Sequence, residues 1–305
     1  MKSSRSAALF LILFLCAVLA FPVPVHADTG PKPSLRVRFE NLGEELCYGT
    51  LLSEKSSTGP QSAWDGNPET AVYRENPGYE YADFSYETWL AFAEYEDADG
   101  YYFLQVGWTV SETKEMAWTY YPPQNFKVLL YFPQEGVFVS SGVCERYAFD
   151  SYYTVNMEGL NIGSVSAGGE ELSPYRSYDY TGEILSLLAR IVITILIEIG
   201  VALLFGFRSQ KQLLFLIVTN CITQVILNVL LNVANYFSGQ WMFLFLYAVL
   251  EIFVFILEAA AYSIGMKKLS ERPPKTAVCI VYALVANALS FAAGLALSFL
   301  LPGIF

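Results

Sequence analysis

Histidine is almost missing from this chain of 305 residues, and His26 is the only one. It falls in residues 1–27, where Lys2 and Arg5 precede an apolar run over 7–21 and a Pro-broken stretch ending Val25-His26-Ala27. That is the layout of a secretory signal peptide, with cleavage expected after Ala27. Cleavage there leaves a mature chain with no imidazole. Ser-His-Asp and Cys-His catalysis, His-ligated zinc and a His phosphorelay are then excluded. Aspartate is missing after Asp179, which excludes an aspartyl dyad within the later apolar segments. The sequence therefore offers no catalytic residue, no metal ligand set and no cofactor motif, and an enzyme is not expected.

Cysteine is scarce. Of five, Cys16 leaves with the signal, and Cys221 and Cys279 lie in apolar segments. Cys47 and Cys144 remain, and an isolated pair outside the cytosol is expected to oxidise to a disulfide. Closing so long a loop would stabilise the fold by about 4–5 kcal/mol in the chain-entropy model. Two free buried thiols are the alternative.

Basic side chains are few where acids are many. Residues 28–180 hold 24 Asp and Glu against nine Lys and Arg, whereas residues 181–305 hold five acids and seven bases. The first part reads as a soluble acidic domain and the second as membrane-embedded. The acidic charge repels nucleic acid and anionic lipid.

Within 28–180 the pattern is β-rich. Residues 35–40 alternate apolar and charged, the period of a half-buried strand, and 45–52 is a second candidate. Residues 53–68 and 158–173 read as loops. Residues 89–96 and 101–110 flank Asp97-Ala98-Asp99-Gly100, a hairpin signal. Those aspartates lack the later ligands of a calcium loop, so a plain turn is the reading. A second hairpin is predicted from 126–132 and 137–141 around Pro133-Gln134-Glu135-Gly136, and 146–157 adds a strand. The domain carries 17 of the 21 tyrosines and four of the five tryptophans. Such rings suit sheet packing and also suit a binding face.

Four apolar segments follow, at about 184–206, 212–234, 241–266 and 277–301, each long enough for a bilayer that needs roughly 20 residues. Arg208 and Lys211 lie in the first connection, and 267–276 carries four bases and one acid, whereas 235–240 carries no charge. Positive loops stay cytoplasmic, which places residues 28–180 and the C-terminus outside a plasma membrane, in agreement with the signal peptide.

Polar side chains interrupt these spans. Asn220, Gln224 and Asn228, with Asn232 and Asn235, share one face of the second span at ~100° per residue. Glu251 and Glu258 share a face of the third, and Glu198 sits on the first. Helical rise puts Glu251 level with Gln224, and puts Glu198 and Glu258 at one depth beside Asn220. A polar seam of Glu198, Asn220, Gln224, Asn228, Glu251 and Glu258 inside the bundle is the expectation, serving either as interhelical glue or as an ion path. Glu251 is expected to face only amides, and Arg190 to reach outward to the interface.

The run ARIVITILIEIGVALLFGFRSQKQLLFLIVTNCITQVILN, the later EIFVFILEAAAY and the upstream YYPPQNFKVLLYFP and ERYAFDSYYTV resemble an uncharacterised family of Gram-positive bacterial multi-span membrane proteins with an exported N-terminal domain. The resemblance implies a bacterial plasma membrane and supplies no activity. The fold class is mixed: a β-rich extracytoplasmic domain, 28–180, followed by an all-α four-helix transmembrane bundle, 181–305. Two functions are carried forward. One is non-enzymatic recognition or sensing by the exported domain, with a peptide, a cell-wall fragment or a protein as ligand. The other is a small transporter or ion-handling subunit using the seam, for which four spans would need a homo-oligomer. Besides such ligands the expected partner is the lipid bilayer, and nucleic acid is not.

Overall fold

The computed structural model of the protein describes residues 30–67, 71, 85–160, 162 and 170–300. The expected signal peptide and residues 301–305 lie outside the described residues.

The chain has the fold class read from the sequence, a mixed β domain followed by a helix bundle. In the first sheet, β1 (Ser34–Glu40) pairs parallel with β9 (Asp150–Asn156) and antiparallel with β5 (Glu115–Trp118), and β11 (Tyr175–Arg176) adds to β9. The second sheet centres on β6 (Asn125–Phe132), with β2 (Tyr48–Ser53) on one side and β7 (Val137–Ser141) on the other. The short β3 (Tyr102–Phe103) and β4 (Trp108–Thr109) pair with β2, β8 (Cys144–Glu145) with β6, and β10 (Glu170–Leu172) with β7.

Alternation explains how the sheets meet. Leu35, Val37 and Phe39 of β1 and Tyr153 and Val155 of β9 point to one side, as do Phe126, Val128, Leu130 and Phe132 of β6. These sets interdigitate in one buried core with Met116 and Trp118. The other face of β6 is covered as well. Leu129, Leu52 and Phe103 pack under Trp89 and Phe92 of α1 (Tyr86–Ala93). The turn at 133–136 is closed by Gly136 at φ +66°, the left-handed region that glycine enters freely.

Three expectations are corrected. Residues 89–96 do not form a hairpin strand, because 86–93 are helical. Ser85 caps this helix by accepting the Thr88 N–H at 3.3 Å, and Trp89 and Phe92, three apart, bury one helical face. Over 101–110 the strand breaks into β3 and β4, and α2 (Val110–Thr113) follows. Residues 170–172 form a strand inside an expected loop.

The Cys47–Cys144 disulfide is not formed, and both residues are free thiols. Strand register gives the reason. Tyr48 lies opposite Tyr131 on β6, whereas Cys144 lies opposite Phe126. The two cysteines are therefore roughly 20 Å apart along β6 alone, beyond the reach of any disulfide, whose Cα atoms lie about 4.4–6.8 Å apart.

The Asp97–Gly100 turn is held by charge. Lys127, on the face of β6 under α1, has a side chain only 2% exposed, and its Nζ lies 2.6 Å from Asp99 and 3.1 Å from Asp97. These two carboxylates serve as partners for a buried lysine.

The bundle is formed by α3 (Thr181–Leu204), α4 (Gln210–Ser238), α5 (Gln240–Leu269) and α6 (Thr276–Leu300). All four are long and apolar enough to cross a bilayer. Each packs on two neighbours in a closed ring, α3 meeting α4 and α6, and α5 meeting the same two. Leu196, Leu204, Phe245 and Leu257 are among the large side chains left facing outward, as lipid contact requires. α3 ends in a Schellman motif: Phe207 N–H donates to Ala202 O at 2.9 Å and Gly206 N–H to Leu203 O at 3.2 Å, with Gly206 at φ +84°. Gln212 at the start of α4 donates to Ser270 Oγ, just past α5, at 2.6 Å. That contact fixes the bundle end where Arg208, Lys211, Lys267, Lys268, Arg272 and Lys275 gather. The β domain sits at the other end, where α4 turns into α5.

Candidate functional site in the helix bundle

Two polar layers occupy the bundle interior. They arise because α3, α4, α5 and α6 each place a few polar residues on the inward stripe of an otherwise apolar helix.

The layer nearer the basic end is centred on two carboxylates. Glu198 of α3 is 1% exposed and Glu258 of α5 is wholly buried. Glu198 Oε2 accepts from Asn220 Nδ2, from Tyr282 Oη at 3.3 Å and from Tyr262 Oη at 3.4 Å. Glu258 Oε1 accepts from Thr223 Oγ1 at 2.6 Å, and its Oε2 from Asn287 Nδ2 at 2.7 Å. Asn220 Nδ2 also donates to Tyr262 Oη at 2.9 Å. Tyr262 lies one helical turn along α5 from Glu258. Two buried oxygens in this layer have no hydrogen-bond partner: Glu198 Oε1 and Asn220 Oδ1.

The second layer lies toward the β domain. Arg190, Thr194, Gln224, Asn228, Tyr247, Glu251 and Ser290 line a small cavity. Its free space, about 10 Å³ for the centre of a water molecule, fits roughly one water. The Tyr247 hydroxyl belongs to the same cavity as the Glu251 carboxyl. Gly294 admits that hydroxyl: a Cβ there would lie 2.7 Å from Tyr247 Oη. Asn228 Nδ2 donates back to Gln224 O at 2.8 Å, so part of the amide stripe is spent within α4.

The structure buries Asn220, Gln224 and Asn228 and leaves Asn232 and Asn235 half-buried. It joins Asn220 to Glu198 and sets Glu251 beside Gln224. Two expectations fail here. Arg190 is 8% exposed, and its guanidinium packs 5.2 Å from the Phe243 ring and 5.4 Å from the Tyr247 ring, so it does not reach outward. Glu251 therefore shares its cavity with a cation as well as amides. Sequence reasoning missed Thr223, Tyr282, Asn287 and Ser290. An asparagine in the middle of the fourth span is itself a signal, because a side-chain amide in hydrocarbon needs a partner. Thr223 and Tyr282 carry no such signal, since both residue types are tolerated on apolar faces.

A second junction joins the β domain to the bundle. Phe149 N–H donates to Tyr236 O at 2.8 Å, and the Tyr236 ring lies 5.2 Å from Tyr178 and 6.3 Å from Tyr147. Tyr178 Oη donates to Glu183, in the first turn of α3, at 2.5 Å. Burial, then that hydrogen bond, raises the Tyr178 phenol above its ordinary value. On the β domain itself Trp89, Phe92 and Phe103 are taken up in the core under α1, whereas Tyr86, Tyr102, Tyr121, Tyr152 and Tyr175 are exposed. An open hollow of about 670 Å³ on it is lined by Glu44, Glu45, Leu46, Ser111, Glu112 and Gln134.

Comparison with protein-family models, with curated proteins and with solved structures gives no match. The architecture agrees with a multi-span membrane protein bearing an N-terminal β domain, and no likeness to a known protein assigns it an activity.

Proposed function

We propose that this chain is a non-enzymatic membrane sensor: its β domain is exported, recognises a ligand outside the plasma membrane and passes its bound state to the bundle. The observation that supports this is the junction at Tyr236. A domain tethered only by its chain would need no backbone bond to the α4–α5 turn, whereas here Phe149, Tyr147 and Tyr178 all engage Tyr236. Such a contact lets a shift in the β domain bias the packing of α4 against α5. The ligands to test are cationic peptides, given the acidic domain, and cell-wall fragments. The full chain in nanodiscs is screened with these by thermal shift, and hydrogen exchange is then followed at 235–240. Saturating ligand should slow exchange there. A ligand that binds the β domain and leaves that turn unchanged removes the sensing reading.

The buried carboxylates favour a second reading, an ion-handling subunit. Proteoliposomes containing the chain would then move protons or sodium faster than empty ones, and equal rates would dismiss it.

A further inference from the structure

We infer that Glu198 and Glu258 form a proton-binding site, in which one proton is held on Glu198. This holds whether the bundle senses or transports.

The argument begins with charge. Both carboxyls are buried between four helices, and among the described residues no Lys or Arg is recorded in a salt bridge with either. α3 brings Glu198 and, eight residues away, Arg190, about 12 Å along the axis. α4 brings Asn220, Thr223 and Gln224, none of which ionises. α5 brings Glu258, Tyr262 and, seven residues from Glu258, Glu251. α6 brings Tyr282, Asn287 and, one turn off, Cys279. Two negative charges in this setting, with no adjacent cation, would carry the full cost of desolvation and mutual repulsion. Binding one proton lowers the pair's charge from two to one.

Hydrogen bonding assigns the proton. Both oxygens of Glu258 accept from good donors, Thr223 Oγ1 and Asn287 Nδ2, which is the setting of an ionised carboxylate. Glu198 differs. Its Oε2 takes three donors, whereas its Oε1 is buried with none, and the Oδ1 of Asn220, whose Nδ2 bonds Glu198 Oε2, also has none. A proton turns an acceptor oxygen of Glu198 into a donor, and the neighbouring amide oxygen is an acceptor without a bond. Tyr262 Oη donates to Glu198 Oε2 at 3.4 Å, so its loss should be felt at that carboxyl. The cavity beside Glu251 and Gln224, with room for one water, extends the polar track toward the β domain.

Infrared difference spectroscopy of the full chain in nanodiscs reads the carbonyl stretch of a protonated carboxyl directly. At neutral pH the wild type should show that band, and Glu198→Gln should remove it. Glu251→Gln should leave it in place, and sodium or potassium added at constant pH should not weaken it. Tyr262→Phe keeps the carboxyls and should shift the band by removing one hydrogen bond, a readout that remains if Glu198→Gln folds poorly. A wild type with no band at neutral pH overturns the inference. So does a band that sodium or potassium abolishes, which would mean a metal-cation site. A band lost in Glu251→Gln and kept in Glu198→Gln would overturn it as well, by placing the proton in the other layer.

Discussion

Gly239 and Phe149 fit against each other so closely that no side chain could stand between them. Gly239 is the single residue between α4 and α5, and a Cβ on it would lie 2.7 Å from two ring carbons of Phe149. Its backbone, at φ +78° and ψ 180°, lies in a region that only glycine enters at low cost. Two independent requirements therefore fall on one residue, and both maintain the contact between β domain and bundle.

Gly239→Ala should lower stability by about 1–3 kcal/mol from backbone strain, with a further loss from the clash. The clash can be separated by a double-mutant cycle. Gly239→Ala in a Phe149→Ala background should keep the strain and lose the clash, so the combined effect is smaller than the sum. Melting of the four proteins in detergent measures this, and strict additivity would show that the ring and the turn do not meet.

Lys127 supplies a second prediction. Lys127→Ala strands Asp97, whose side chain is 2% exposed, and breaking a buried pair in this way costs about 3–5 kcal/mol. Asp99→Ala should cost less, because Asp99 is 56% exposed and can turn to water. Burial lowers the lysine's affinity for its proton, but the hydrogen bonds to Asp99 and Asp97 outweigh it and raise the folded value above 10.5. The stabilisation is thus complete below pH 10.5 and is lost as pH rises through the folded value. Urea titrations across alkaline pH would show the loss in the wild type and its absence in Lys127→Ala.

The cysteines predict a chemical result. Protein unfolded without reductant should alkylate at both Cys47 and Cys144, read by mass spectrometry. In the folded protein Cys47 should resist alkylation, because it is buried and burial pushes its thiol up to about 12. Since an unfolded thiol ionises near 9.0, unfolding releases a proton between pH 9 and 12, and this group's contribution to stability falls as pH rises through that window. Recovery of a Cys47–Cys144 peptide would contradict the strand register.

Asn287 tests the bundle. Asn287→Leu removes the donor to Glu258 Oε2 and should cost about 1–3 kcal/mol, while Asn287→Gln in the same place should cost less if its amide still reaches. Glu251→Leu should be milder than Asn287→Leu, because Glu251 is only half-buried and its loss leaves the Tyr247 hydroxyl near Ser290 and Gln224. Detergent melting of the variants ranks them, and an Asn287→Leu protein as stable as wild type would remove that hydrogen bond from the account.

The sidedness of the bundle can be tested at its ends. Cysteines introduced at 209 and 270 should label from one side of the membrane, and one at the exposed position 240 from the other, where the β domain sits. Labelling of all three from one side would mean that fewer than four helices cross.

The four spans could be read from the sequence because hydropathy and helix length are local, and hydrocarbon leaves a chain few other ways to bond its backbone. The inward face of α4 was legible for the same reason, since Asn220, Gln224 and Asn228 recur at helical spacing. Strand β6 and its hairpin to β7 were legible through turn residues and alternation. Tertiary structure alone decided the rest. The parallel pairing of Leu35 with Ser151, 116 residues apart, and the register that separates Cys47 from Cys144 depend on which strands meet, and no local pattern encodes that. The helix at 86–93 formed where its Trp89 and Phe92 could bury on β6, a site that exists only once the sheet is assembled. Arg190 turned inward because Phe243 and Tyr247 offered ring faces there. Tyr282 and Asn287 joined the carboxylates because α6 closes the ring between α3 and α5, a neighbour relation fixed by the packing of helix on helix.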